Sequence, residues 1–366
     1  MPLLEKSSTR RRRRSGKKLA ALFFIAVLAG LGWLWWHQKH PAKPAKFKST
    51  PVAPASPAAP QTPVKPRLTP IVIAPQTPAD FPRPVRDVLE AQVALARRAI
   101  SPGSLDAAIG SQTRSAIAAF QRSQKLFESG LLDTNTRPLL TLDAPVLANY
   151  IVTTNDLARL QPLGKTWLAK SVQTALDYET ILELVAEKAH SHPLLIQKLN
   201  PEVNWTNVAA GMVLKIPDVN YPEPADMAAF VIIHLSEKFL EAFDADTNLL
   251  AHFPCSIAAK VEKRPVGELH VAVVAPHPNY TFDPAVFPEL PEAQAIGHKL
   301  ILPPGPNNPV GVAWIGLDKT GYGMHGTPAP EQVGRTESHG CFRLANWDAE
   351  YLVKLVWIGM PVEVVP

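Results

Sequence analysis

The chain has 366 residues, 46% apolar and 19% charged, enough to bury one or more sizeable cores and too apolar for a wholly disordered or collagen-like protein. Its two cysteines, Cys255 and Cys341, supply neither a disulfide framework nor a multi-thiolate metal site. The net charge of +5 is unevenly spread: residues 1–48 carry 12 Lys+Arg against Glu5 alone, and the remaining 318 residues carry 25 Lys+Arg against 31 Asp+Glu. The basic balance is thus a property of the N-terminus, and nothing beyond it reads as a nucleic-acid surface.

Arg10 to Arg14 with Lys17 and Lys18 precede an uncharged 18-residue run, Leu19 to Trp36. As a helix this run would be roughly 27 Å long against a hydrocarbon core of about 30 Å, so it can just span a bilayer. The basic cluster predicts a cytoplasmic tail over 1–18, and Trp33, Trp35 and Trp36 fall where an aromatic belt on the far interface belongs. The expectation is a single-pass signal anchor over 19–36, a membrane partner for that helix, and export of the rest to the periplasm or cell-wall space. A signal peptide cleaved near Val27-Leu28-Ala29 is the competing reading, and it exports the same residues. From Pro41 to Pro84, 13 prolines in 44 residues favour extended polyproline II, which predicts a spacer over 37–80.

Three folded stretches follow. Over 81–145, Val85, Val88, Leu89, Gln92, Val93 and Ala96 share one helical face, Ile117 and Phe120 mark a second helix after Gly110-Ser111, and a third is expected near Asp133. Leu105-Asp106, Ile109-Gly110, Thr113, Ala116 to Gln121, Gly130 to Asp133 and Thr136 together resemble the three-helix peptidoglycan-binding domain. Over 171–219, Tyr178 to Lys188 and Leu194 to Leu199 read as helices, and Gly211 to Pro217 alternates like a strand. That order, with Leu199-Asn200-Pro201, resembles a lysin motif, a βααβ glycan-binding module, with a degenerate opening at Asp177 to Ile181.

The stretch 225–366 reads as mainly β, with short strand-like runs at Phe230 to His234, Val271 to Val274 and Ala313 to Leu317. Helical pattern is expected only around Glu237 and from Asn346 to Ile358. Asp318-Lys319-Thr320-Gly321 fits a hairpin turn that returns Tyr322 to His325 beside Ala313 to Leu317. His325-Gly326-Thr327 and, ten residues later, Ser338-His339-Gly340-Cys341-Phe342-Arg343-Leu344 bring two histidines and a cysteine to a glycine-rich corner. If Ser338 to Phe342 is extended, His339 and Cys341 project to one side, with Gly340 leaving room for a close approach. A free cysteine is only about 3% thiolate at pH 7, and an adjacent imidazolium that lowers its pKa by roughly two units makes it mostly ionised. Cysteine with histidine is thus a nucleophile with its base. Asn346, ahead of a helix, reads as its N-cap.

This set resembles the L,D-transpeptidase catalytic domain family over essentially all of 225–366. It includes Phe253-Pro254-Cys255-Ser256, the turn Arg264 to Leu269, and the closing Gly359-Met360-Pro361-Val362. With the N-terminal transmembrane helix read above, the resemblances imply a multidomain chain: a mainly β catalytic domain preceded by small α (three-helix) and βααβ modules. It implies Cys341 as nucleophile, attacking the third residue of a peptidoglycan tetrapeptide stem, expelling D-alanine and passing the acyl group to an amine of another stem. His325 would be proton donor and acceptor, oriented by the following backbone carbonyl, and His339 would position substrate or stabilise the oxyanion. Gly326, Thr327, Ser338, Gly340 and Arg343 would bind substrate. Stem peptides and glycan strands are the implied partners, with no cofactor and no metal.

Other readings compete. Hydrolysis of the same thioester would make an L,D-carboxypeptidase, and an inert thiol would leave a wall-binding scaffold. Cys255 reads as a packed thiol, although a Cys255 to Cys341 disulfide is open in an oxidising compartment. His325, His339 and Cys341 match no common zinc spacing.

Overall fold

The computed structural model describes Thr69, Ile71 and residues 77–366 apart from Glu337 and His339. The expected basic tail, the anchor over 19–36 and nearly all of the Pro-rich spacer lie outside the described residues. Among the described residues no helix is long and apolar enough to cross a membrane.

The first module is framed by β1 (Arg83–Pro84), α1 (Val88–Ala96), α2 (Ser111–Ser123) and β2 (Thr141–Leu142), with β1 and β2 antiparallel. Asp87 caps α1 by accepting from the Glu90 N–H, and Leu89, Val93 and Ala96 are buried against Ile117 and Phe120 of α2. Gln92 shares that face because its amide is fully used. Its Nε2 donates to Asp106, the Ala108 carbonyl and Thr113, and its Oε1 accepts from the Ala107 N–H. The expected third helix near Asp133 is a turn instead. Asp133 Oδ1 accepts from the Thr136 N–H at 2.8 Å, and Pro138, which has no N–H and clashes with a preceding turn, stops a helix from growing. The module is therefore two-helical.

The second module contains β3 (Leu147–Ile151), α3 (Thr154–Ala158), α4 (Trp167–Ser171), α5 (Ile181–Lys188), α6 (Pro193–Leu199) and β4 (Val213–Pro217). Capping boxes at Thr153/Asp156 and Thr180/Glu183 start α3 and α5. β4 pairs antiparallel with β3, so the two-stranded sheet begins well before residue 171, where the sequence placed the module's start. Asn200 closes α6 by bridging the Ile196 and Lys215 carbonyls and accepting from the Lys215 N–H.

The third stretch builds one eight-stranded sheet from β5 (Phe230–His234), β6 (Phe239–Phe243), β7 (Leu249–Pro254), β8 (Gly267–Pro276), β11 (Ala313–Leu317), β12 (Gly323–His325), β13 (Phe342–Arg343) and β14 (Pro361–Val365). Between β8 and β11 the chain leaves the sheet to form β9 (Tyr280–Phe282), α7 (Pro291–Ile296) and β10 (Leu300–Leu302). The sheet order is β13-β12-β11-β8-β14-β5-β6-β7, with parallel pairing only for β14 with β5 and β12 with β13. Past β7, Ser256 bridges Arg343 and Ala258 bridges Ser338, so the two edges meet beside β13. The pattern expected to be helical around Glu237 is the turn of the β5–β6 hairpin, where Lys238 takes a positive φ of 61°.

One helix, α8 (Asn346–Leu355), lies across β8, β11 and β12 and also touches α5. Leu352 and Leu355 join Val231, Ile233, Leu240, Phe253, Val362 and Val364 in the core. Strands β5 and β14 alternate buried and half-buried positions, as one covered face requires. Phe253 and Phe342 are fully buried, and truncating either to alanine would cost about 3–5 kcal/mol. The three stretches pack into one unit. The Ser101 N–H donates to the His252 carbonyl, Leu105 and Ser191 form a bridge, and Arg97 donates to the Ala144, Pro145 and Asp218 carbonyls.

Candidate active site

The β11–β12 hairpin turns at Asp318 to Gly321, where Gly321 has φ +81°, and sets Trp314 opposite His325 and Ile315 opposite Met324. β13 then pairs parallel to β12, with Met324 beside Phe342 and His325 beside Arg343. Side chains alternate along extended chain, so Met324 and Phe342 enter the core while His325, Cys341 and Arg343 share the opposite face. Gly323 must be glycine here, because a Cβ would press within 2.8 Å of the Trp314 ring and the Ile315 carbonyl.

Of the segment read as extended, Ser338 bridges Ala258 and Phe342 opens β13, while Gly340 and Cys341 lie in a bend. The Ser338 hydroxyl donates to the Cys341 carbonyl at 2.6 Å and accepts from the Gly340 N–H at 3.2 Å, while the Ser338 N–H donates to the Ile257 carbonyl. The serine hydroxyl thus satisfies backbone groups of the bend while its own backbone pairs with Ile257 and Ala259. A Cβ at Gly340 would meet only Tyr322 at 3.8 Å, so any steric demand for glycine there comes from outside the chain. His339 lies outside the described residues.

Cys341 Sγ donates to the Gly321 carbonyl at 3.4 Å. His325 Nδ1 lies 2.6 Å from the Gly326 carbonyl, and the ring stacks on Trp314 at 5.6 Å. A carbonyl can only accept, so Nδ1 carries the proton and Nε2 is left as the basic nitrogen. Burial pushes the imidazole down to about 4, opposed by the Gly326 bond and reinforced by the Arg343 charge. Burial also pushes the Cys341 thiol up to about 11, with a Gly323 backbone hydrogen bond and Arg343 acting the other way. Both shifts favour the uncharged forms, a thiol and an imidazole. The physical reason is that both groups are withdrawn from water, which disfavours their charged forms.

Cys341, His325, Arg343, Ser338 and Gly340 all line one cleft of about 660 Å³. Gly326 and Thr327 do not. They sit behind its wall, Thr327 only 4% exposed, with its N–H donating to Asn346 Oδ1 at 3.0 Å. Asn346 is not the N-cap of α8, a position held by Ala345. Its buried amide instead accepts from Val312 and Thr327 and donates to the Pro306 carbonyl and to Glu187.

Sequence reading did not point to the far wall of the cleft. Tyr280, Phe287 and Leu290 come from the excursion between β8 and β11, and Trp167 comes from the second module. Trp167 stacks on Phe282 at 4.4 Å, and its backbone N–H donates to Glu292 at 2.6 Å. The aromatic spacing of Tyr280, Phe282 and Phe287 in a Pro-rich stretch was the available signal; Trp167 had none. Cys255 is a free thiol, fully buried and pushed up to about 12 by that burial.

Residues 228–364 match the family model of the L,D-transpeptidase catalytic domain, and residues 85–140 match that of the peptidoglycan binding domain. The chain is 26% identical over 188 residues to the YkuD protein of Bacillus licheniformis, spanning 51% of this chain and 94% of that protein. It is 27% identical over 181 residues to the Probable L,D-transpeptidase YbiS of Escherichia coli K12, spanning 46% of this chain and 54% of that protein. Among solved structures, an L,D-transpeptidase from Mycobacterium smegmatis aligns with TM-score 0.30 at 18% identity, covering 43% of this chain and 75% of that one. Residues 228–364 are thus an L,D-transpeptidase catalytic domain, preceded at 85–140 by a peptidoglycan-binding domain.

Proposed function

We propose that this chain is an exported peptidoglycan L,D-transpeptidase in which Cys341 is the nucleophile and His325 the proton carrier. The observation that carries the proposal is the tautomer imposed on His325: with Nδ1–H given to the Gly326 carbonyl, Nε2 is a free base on the cleft wall that also presents Cys341. Because the resting thiol is neutral, His325 takes its proton as sulfur attacks the carbonyl carbon of the third stem residue. The tetrahedral intermediate collapses by breaking the bond to the D-alanine nitrogen, which leaves with the proton from His325. The remaining acyl group is held as a thioester. A stem amine then attacks, gives its proton to His325, and the sulfur leaves and is reprotonated. His339 is assigned to substrate positioning or oxyanion stabilisation, and the Arg343 guanidinium, on the same wall, suits a stem carboxylate.

Export rests on the basic cluster Arg10 to Arg14 ahead of the apolar run Leu19 to Trp36, which we assign as a membrane anchor. The test is incubation of the purified protein with disaccharide-tetrapeptide. Release of D-alanine and appearance of cross-linked dimer are expected, and activity surviving in Cys341→Ala would overturn the mechanism.

A further inference from the structure

The first turn of α8 is where the catalytic domain is held by the rest of the chain. Asp348 accepts from Ser101 at 3.1 Å and from the Tyr221 hydroxyl at 2.5 Å; Trp347 stacks on His190 at 5.0 Å with an 8° interplanar angle; Asn346 donates to Glu187 Oε2 at 3.0 Å. Three consecutive residues therefore reach Ser101 near the first module, His190 and Glu187 in the second, and Tyr221 in the connector.

The Asn346 contact continues to the reacting groups. The orientation of its amide is determined, because Val312 and Thr327 offer N–H groups to Oδ1 while Pro306 and Glu187 offer only acceptors to Nδ2. The amide fills a slot between Gly311 and Gly326, where a Cβ on either would run into its oxygen. It thereby holds the Gly326–Thr327 backbone, and the Gly326 carbonyl orients His325. At the other end Glu187 is anchored by the Tyr178 hydroxyl, which donates to Oε1 at 3.1 Å.

We infer that Glu187, supplied by the second module, is a positioning residue for His325, acting through Asn346 and the Gly326–Thr327 backbone. The inference rests on the reading of Cys341 and His325 as the reacting pair. Its consequence is that the module before the catalytic domain sets the turnover of the site and not only its attachment to the wall. The groups around the Glu187 carboxylate are Tyr178, Glu183 and Glu350, with Arg159 over the Tyr178 ring at 4.8 Å; burial first, then Glu183 and Glu350, push Glu187 up to about 7.

The test uses the full chain at pH 8, where Glu187 is ionised. Its readouts are D-alanine release from disaccharide-tetrapeptide and the rate of Cys341 alkylation by iodoacetamide, which needs no peptidoglycan. Glu187→Ala should lower kcat about tenfold with KM within about twofold, as a small misplacement of a catalytic group does. Glu187→Gln, whose amide oxygen still accepts from Asn346 while its nitrogen donates to Tyr178, should recover most of that loss. Should the alanine variant fail to fold, Asn346→Asp sets two carboxylates face to face, and adding Glu187→Gln should restore activity several-fold. An unchanged kcat in Glu187→Ala, or no rescue in the double variant, would overturn the inference. If the unaltered protein releases no D-alanine, the transpeptidase reading fails, and the alkylation rates decide the Glu187 link alone: slower in Glu187→Ala supports it, equal rates reject it.

Discussion

Two regions of the sheet carry the same residue types and differ in what covers them. At β7 and just beyond, His252 and Cys255 are fully buried. His252 Nδ1 bonds Glu241 at 2.9 Å, its Nε2 lies 3.3 Å from the Ser115 hydroxyl, and Arg122 of the first module pairs with Glu241. At β12 and β13, His325 and Cys341 stand on the wall of a 660 Å³ cleft, and His325 has a carbonyl where His252 has a carboxylate. The first region has the more complete relay of polar groups, yet α2 closes over it. The second has a weaker partner and an open approach. Access, more than the presence of a histidine's partner, distinguishes the setting of Cys341 from that of Cys255.

The sharpest way to break this comparison is to exchange the two thiols' fates. Cys341→Ala should lower D-alanine release by at least about a thousandfold, with Tm close to that of the parent. Cys255→Ala should leave kcat unchanged and cost about 1 kcal/mol of stability, read by urea unfolding. A loss of turnover in Cys255→Ala, with Cys341→Ala still active, would reverse the assignment.

The histidines should divide in the same way. His325→Ala should lower kcat by about 10²–10⁴-fold, the usual span for a general base. His252→Ala should instead leave kcat intact and cost about 2–4 kcal/mol, because it strips the buried Glu241 of one of its partners. The ionisation of the open site can be read separately. With Cys341 pushed up to about 11, roughly 10⁻⁴ of the thiol is ionised at pH 7, so iodoacetamide alkylation should keep rising with pH beyond 9. A plateau reached below pH 7 would mean a preformed thiolate–imidazolium pair.

The smallest effect concerns the first turn of α8. Burial raises Glu187 from its ordinary 4.5, and Asp348 from 3.8, to about 7 in the folded protein. The folded state then binds more protons than the unfolded one between about pH 4 and 7, so stability is highest at the acid end of that window and falls as pH rises through 7. Tm should be a few degrees higher at pH 5.5 than at pH 8, by differential scanning fluorimetry. Asp348→Asn should flatten that slope, and a Tm that climbs toward pH 8 would contradict the assignment.

The strands around the site were legible because the hairpin Ala313 to His325 combines a turn with φ > 0 at Gly321 and an alternation that sends Met324 inward. Helix α1 was legible for a similar local reason, a face from Val85 to Ala96 that repeats at helical spacing. The third helix of the first module was misread because Asp133 and Thr136 also suit a turn, and Pro138 decides for the turn. The pattern at Glu237 was misread because a hairpin turn and a helical turn look alike over four residues. Asn346 was misread as a cap because its four partners, Pro306, Val312, Thr327 and Glu187, lie 19 to 159 residues away along the chain. No local spacing encodes them.

By itself the sequence singled out the residues proposed to carry chemistry, because His325-Gly326-Thr327 and Ser338 to Arg343 are short, dense motifs. It also determined the catalytic domain and the wall-binding domain before it, since both depend on local motifs. Only the tertiary structure decided how burial shifts His325 and Cys341, because desolvation is set by whatever packs around a group. The same holds for the cleft wall that includes Trp167 and for the tie from Glu187 through Asn346 to the His325 backbone. These are contacts between residues far apart in the chain, and only folding brings them together.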